Sequence, residues 1–142
     1  MVEQVAIRRA SADDINGVLW LWHQAECRTS PTDDVDGLRS LLRRDDSWLL
    51  LADAHGALIG SVIATWDGWR GNLYRLAVAP RVRRMHVALE LVHEGERRLR
   101  EAGARRITAL VDGDDEVANR FWRSAGYELD SSMRRFARML DA

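Results

Sequence analysis

The chain predicts a mixed α/β fold, a single sheet with helices on both faces, and three features carry that reading. Apolar residues alternate or run continuously over short stretches and recur at steps of three and four over longer ones. The two kinds of stretch interleave along the chain, as a mixed sheet requires and a bundle or sandwich does not. Turn-forming residues (Pro31, the Asp53 to Gly56 cluster, Pro80, Gly103) fall between them. With 142 residues, 46% hydrophobic and 30% charged, we expect one domain spanning residues 1–142 around a single core.

Residues 5–9 alternate as a first strand, and Ser11 or Asp13 caps a helix whose Ile15, Val18, Leu19, Trp22 and Ala25 share a face. That helix is expected to end near Arg28, followed by a loop around Pro31 and a short helix marked by Val35, Leu38, Leu41 and Leu42. Residues 48–52 and 58–65 are apolar runs joined by a tight connection, which predicts a hairpin. A turn over 67–71 leads to a strand from Leu73, ended by Pro80, whose missing N–H breaks the ladder. Met85, Ala88, Val92, Gly95 and Leu99 then mark a long helix stopped by Gly103. A fifth strand over 107–111, a helix over 117–124 and closing strands, the last over 133–140, complete the order βααβββαβαββ.

Composition narrows the function. A net charge of −1 argues against a surface that neutralises many phosphates, so no nucleic acid is expected as a ligand. All 21 basic residues are arginine, so the chain has no lysine to acetylate on itself. A single cysteine, Cys27, excludes an internal disulfide, and neither a secretory leader nor a membrane-spanning run is visible; a cytoplasmic protein that engages no membrane is the expectation. His23 and Cys27 lie four apart on one helix but lack a third ligand of matching spacing, so no metal is expected.

The most informative stretch is LYRLAVAPRVRRMHVA, residues 73–88, where a half-buried strand hands over to a helix start. The first N–H groups of a helix lack intrahelical acceptors and carry the positive end of its dipole, so they suit phosphate oxygens. Arg81, Arg83 and Arg84 crowd the same turn.

RRMHVA at 83–88 resembles the R/Q-x-x-G-x-G/A pyrophosphate loop of the GNAT superfamily of acetyl-CoA-dependent N-acetyltransferases. DDEVANRFWRSAGYEL at 114–129 resembles the family's late helix and strand, with Ala118, Phe121, Gly126 and Tyr127 in register, and VAIRRASADDINGVLWL at 5–21 resembles its first strand and helix. The likeness covers essentially the whole chain in the right order. His86 stands where the family pattern has Gly, Trp122 where it most often has Tyr, and Asp115 where it has Asn. Tyr74 and Arg75 occupy strand positions that often hold a carboxylate base.

The resemblance implies a GNAT-like fold with a cleft between residues 76–78 and 107–112 for the pantetheine arm of acetyl-CoA, the expected co-substrate. Leu76, Ala77, Val78, Arg83, Arg84, Met85, His86, Val87, Ala88, Asp115 and Trp122 would line or hold that cofactor. The Val78 N–H would donate to the thioester oxygen. An alkylamine acceptor, with a pKa of about 10.4, has to lose a proton at a cost of roughly 4 to 5 kcal/mol at neutral pH. Tyr74 and Asp112, with Asp67, Glu26 and His23, are the candidate groups at or beside the cleft. Trp20, His23 and Trp66, with Trp69 and the acidic Asp33, Asp34 and Asp36, fall in regions that form acceptor pockets in this fold, an aromatic and acidic mouth suited to a cation. The expected activity is direct transfer of acetyl to a primary amine of a small molecule or peptide, by a monomer or homodimer. A non-catalytic module of the same fold, binding CoA or acting in regulation, is the alternative.

Overall fold

The structure, a computed structural model, describes residues 5–82 and 86–140. It divides into two compact units, 1–110 and 111–142. The first contains β1 (Ala6–Arg9), a 3-10 turn (Ala12–Asp14), α1 (Ile15–Gln24), α2 (Val35–Leu42), β2 (Ser47–Ala54), β3 (Ala57–Trp66), β4 (Gly71–Val78), a second 3-10 turn (Pro80–Val82), α3 (Val87–Ala102) and β5 (Ile107–Ala109). The second carries α4 (Glu116–Ser124).

The strands form one sheet in the order β1-β2-β3-β4-β5, antiparallel except for the parallel β4/β5 pair. A parallel pair needs a long crossover, and α3 supplies it. Successive side chains of a strand point to opposite faces, and β3 shows which helix covers which. Ser61 accepts a hydrogen bond from the Trp22 indole of α1. Its neighbour Gly60 lies under α3, so close that a Cβ there would stand 2.9 Å from Leu91 and 3.1 Å from Val87. Gly95 of α3 meets Leu73 of β4 in the same way, at 2.9 Å. Glycines on both surfaces thus let α3 sink against β3 and β4.

The mixed α/β class is as the sequence predicts. Leu49, Leu50 and Leu51 in β2 and Val62 in β3 are fully buried, which explains why these strands read as continuous apolar runs: both faces are covered. Asp34 caps α2 by accepting from the Gly37 N–H at 2.7 Å. At the start of α1 the side chain that closes the turn is Asp14, which accepts from the Ser11 N–H at 2.8 Å.

Three boundaries differ from expectation. α1 stops at Gln24, because Glu26 turns left-handed (φ 57°) and the Cys27 N–H bonds back to the Trp22 carbonyl. β5 is three residues long rather than five. The closing strands are not formed: residues 127–140 carry no ladder. Asp130 folds the chain on itself there, its carboxylate accepting from both the N–H and the hydroxyl of Ser132. Local side-chain bonding of this kind competes with strand pairing.

Candidate active site

The site is built where β4 outruns its neighbour. β5 pairs with β4 only from Gly71↔Ile107 to Leu73↔Ala109, and the Leu110 N–H bonds once more to the Leu73 carbonyl. Beyond Leu73 no described strand pairs with β4 on that side, so Tyr74 to Val78 present an open backbone edge.

Within this stretch the β3/β4 register slips between Ser61 and Ile63, and Arg75 takes a left-handed conformation (φ 56°). The result is a bulge. Its carbonyl is held from the side by the Ser61 hydroxyl, which donates to Arg75 O at 2.9 Å while accepting from Trp22 Nε1 at 2.8 Å. After the bulge the ladder resumes, and the Ala79 N–H donates to the Ile59 carbonyl at 2.8 Å. In an antiparallel ladder alternate residues turn their backbone groups to opposite sides. Val78, one residue before Ala79, therefore directs its N–H away from β3, toward the open edge.

The edge leads through Pro80–Val82 to α3. His86 stands at its N-cap position, exposed and left-handed (φ 57°), and Val87 is buried over Gly60. A left-handed residue at a helix entry is the conformation a glycine adopts without strain, and His is among the side chains that tolerate it best. Arg83, Arg84 and Met85 lie outside the described residues.

The remaining expected residues are distributed as follows. Leu76 and Val78 are half-buried on the open stretch, whereas Ala77 is buried and paired with Ser61, its backbone turned to β3. Ala88 is half-buried in the first turn of α3. Tyr74 is half-buried on the open stretch, and burial pushes its phenol above the ordinary value of 10.0, against a smaller opposing effect of a hydrogen bond with Thr65. The raised value favours the neutral phenol, which can donate a hydrogen bond.

Trp20 and His23 sit together on α1, ring centroids 5.6 Å apart, with Trp20 exposed. Trp66 is not with them. A Cβ at Gly103 would stand 3.7 Å from its ring, which places it on the α3 side of the sheet, as the alternation from Ser61 along β3 requires. The carboxylate of Asp67 is occupied by its own turn, accepting from the N–H groups of Trp69 and Arg70.

In the second unit, Asp112 accepts from the Asp114 N–H at 3.1 Å and shapes the turn before α4. Asp115 caps that helix through the Ala118 N–H at 2.9 Å. Trp122 is buried, edge-on to Tyr127 at 4.9 Å. No cluster of three or more potential metal-binding side chains occurs among the described residues, and none of their helices is long and apolar enough to cross a membrane.

Ser61 escaped the sequence reading, and Asp33, expected at the acceptor mouth, was not expected to pair with Arg75. A lone polar residue inside the apolar run 58–65 was the available signal for Ser61.

Residues 13–127 match the sequence model of the acetyltransferase (GNAT) family, a span that reaches into both units. An acetyltransferase of Sodalis glossinidius is 28% identical over 127 residues, 89% of each chain. Among solved structures, an aminoglycoside 6'-N-acetyltransferase of Acinetobacter haemolyticus superposes with a TM-score of 0.79 at 21% identity, covering 96% of this chain and 99% of the other. The aminoglycoside N-acetyltransferase AAC(6')-Iy in complex with CoA gives the same TM-score at 17% identity, over 99% of this chain and 98% of its own.

Proposed function

The chain belongs to the GNAT acetyltransferase family, and from that premise we propose that it transfers the acetyl group of acetyl-CoA directly to a primary amine of a small molecule or peptide. The observation that carries this reading is the open edge of β4 running from Tyr74 into the start of α3. Its donor set suits the co-substrate. An extended pantetheine arm has amide groups that pair with a strand edge as a further strand would, and the first N–H groups of α3, which lack intrahelical acceptors, suit the oxygens of a pyrophosphate.

In this mechanism the Val78 N–H donates to the thioester oxygen, where negative charge develops as the carbonyl is attacked. The amine nitrogen forms a bond to the carbonyl carbon and the carbon–sulfur bond breaks. The sulfur leaves as a thiolate, which takes a proton, and the amine loses one. Tyr74, a phenol that hydrogen-bonds with Thr65 of β3, would orient the incoming groups. The transfer is direct, within a ternary complex, and needs no acyl-enzyme.

Calorimetric titration with acetyl-CoA tests the first half of the reading, and release of free CoA thiol in the presence of a panel of primary amines tests the second. We expect micromolar binding by the wild-type protein and by His86→Gly, because the entry to α3 already has the backbone form a glycine would give it. Absence of binding by both proteins, or binding with no thiol release for any amine, would overturn the proposal.

A further inference from the structure

Arg75 does more than form the bulge. Its guanidinium reaches the loop between α1 and α2, where Nη2 donates to Asp33 Oδ2 at 2.6 Å and Nε to Oδ1 at 3.3 Å. This is a two-point fork between residues 42 positions apart, with side-chain exposures of 24% and 16%. The other ion pairs among the described residues each include a more exposed arginine or lie within one helix. Asp33 also accepts from the Ser30 N–H at 2.9 Å, so the carboxylate that grips Arg75 holds its own loop in shape. The guanidinium lies 5.6 Å from the centroid of the Trp22 ring, and Trp22 returns through Ser61 to the Arg75 carbonyl. Loop, helix α1, strand β3 and the β4 bulge thus close into one ring of contacts.

The ring sits beside the open edge, on the α1 side of the sheet. Arg75 precedes Val78 by three residues, roughly 10 Å of strand, in the direction away from the start of α3. With the donor's phosphates at the start of α3, the Arg75 end of the edge is left for the group that attacks the thioester.

We propose that Asp33 and Arg75 form a positioning latch, fixing residues 25–34 as a wall of the acceptor site. Acceptor recognition depends on the latch and donor binding does not. The acceptor part rests on the function proposed above, whereas the latch itself is a property of the free protein. Because the fork is bidentate, lysine in place of Arg75 does not replace it. An exchanged pair does, because aspartate tolerates the left-handed conformation at position 75.

The test compares wild type, Asp33→Asn, Arg75→Lys and the exchanged double variant Asp33→Arg/Arg75→Asp. Amide hydrogen exchange is followed in the free proteins, together with acetyl-CoA affinity and steady-state kinetics for an amine that the wild type acetylates. We expect exchange in residues 28–33 to quicken by about tenfold in both single variants as the loop opens locally. Acceptor KM should rise by about tenfold at near-constant kcat, the pattern of lost acceptor binding. Acetyl-CoA affinity should stay within about twofold, the scatter expected of independent sites. The exchanged pair should recover part of both losses, short of wild type because an arginine at position 33 cannot accept from the Ser30 N–H. Unchanged loop exchange and acceptor KM in Asp33→Asn would overturn the latch, as would a loss that falls equally on acetyl-CoA affinity. A wild type that acetylates no amine would refute the proposed function instead, and the exchange data would still decide whether the latch exists. If Asp33→Asn fails to fold, Arg75→Lys, which keeps the charge, gives the same reading.

Discussion

Glu26 ends α1 in the left-handed conformation that Gly103 and Gly126 adopt after α3 and α4. All three helix ends close with the same paired hydrogen bonds, for example Glu26 N–H to the His23 carbonyl and Cys27 N–H to the Trp22 carbonyl. Only at α1 does a side chain meet the steric cost of positive φ, on the order of 1 kcal/mol. Glu26→Gly should therefore raise the unfolding free energy by roughly 0.5 to 1 kcal/mol, offset in part by the greater freedom of glycine in the unfolded chain. A denaturant midpoint that moves to lower concentration would show that the Glu26 side chain contributes a contact outweighing the strain. His86 is the same situation at a helix entry. His86→Gly should be no less stable than wild type, and a clear loss in the same measurement would mean that the imidazole has a structural partner. Gly103 was legible as a helix stop because glycine advertises the conformation. Glu26 hid the same stop, and α1 was read too long for that reason.

At the scale of elements, the bulge in β4 depends on one buried hydroxyl. Ser61 is fully buried and serves Trp22 Nε1 and the Arg75 carbonyl at once. Ser61→Ala would leave a buried indole N–H without its acceptor, at a cost of about 1 to 3 kcal/mol. Trp22→Phe should cost less in the Ser61→Ala protein than in wild type, because no donor then remains to satisfy. Strict additivity of the two substitutions in denaturant melts would show that the hydrogen bond contributes nothing. The strands and the long helix were legible because their periodicity is local. The bulge was not, since a slip of register depends on which strand lies alongside and on a serine that reads, in one dimension, as an interruption. Nor was the separation of Trp66 from Trp20, which depends on the face each strand residue turns outward. The closing strands were over-read: residues 133–140 have the composition of a strand, but Asp130 and Ser132 provide a local alternative.

For the molecule as a whole, the absence of lysine shapes the dependence of stability on pH. Arginine stays charged throughout the accessible range, so no basic side chain of the ordinary lysine kind titrates near pH 10. The acid limb comes from carboxylates held by arginine. Hydrogen bonds from Arg8, ahead of all other causes, lower Asp14 from 3.8 to about 2, and those from Arg97 lower Glu94 from 4.5 to about 2. A carboxylate depressed in the folded state binds its proton more readily when unfolded. The stability from these pairs is therefore complete above about pH 4.5 and is lost as pH falls through about 2. With solvent screening, the Asp14 share is about 1 kcal/mol or less. Tyr74 contributes to the alkaline limb with the opposite sign. Its folded pKa lies above 10.0, so the unfolded chain releases the phenolic proton first and stability falls as pH rises past 10.0. The expected profile from chemical denaturation is a plateau through neutrality, a decline below about pH 4, and a second decline above about pH 10 that Tyr74→Phe reduces. An alkaline decline that persists unchanged in Tyr74→Phe would show that burial of this phenol does not control it.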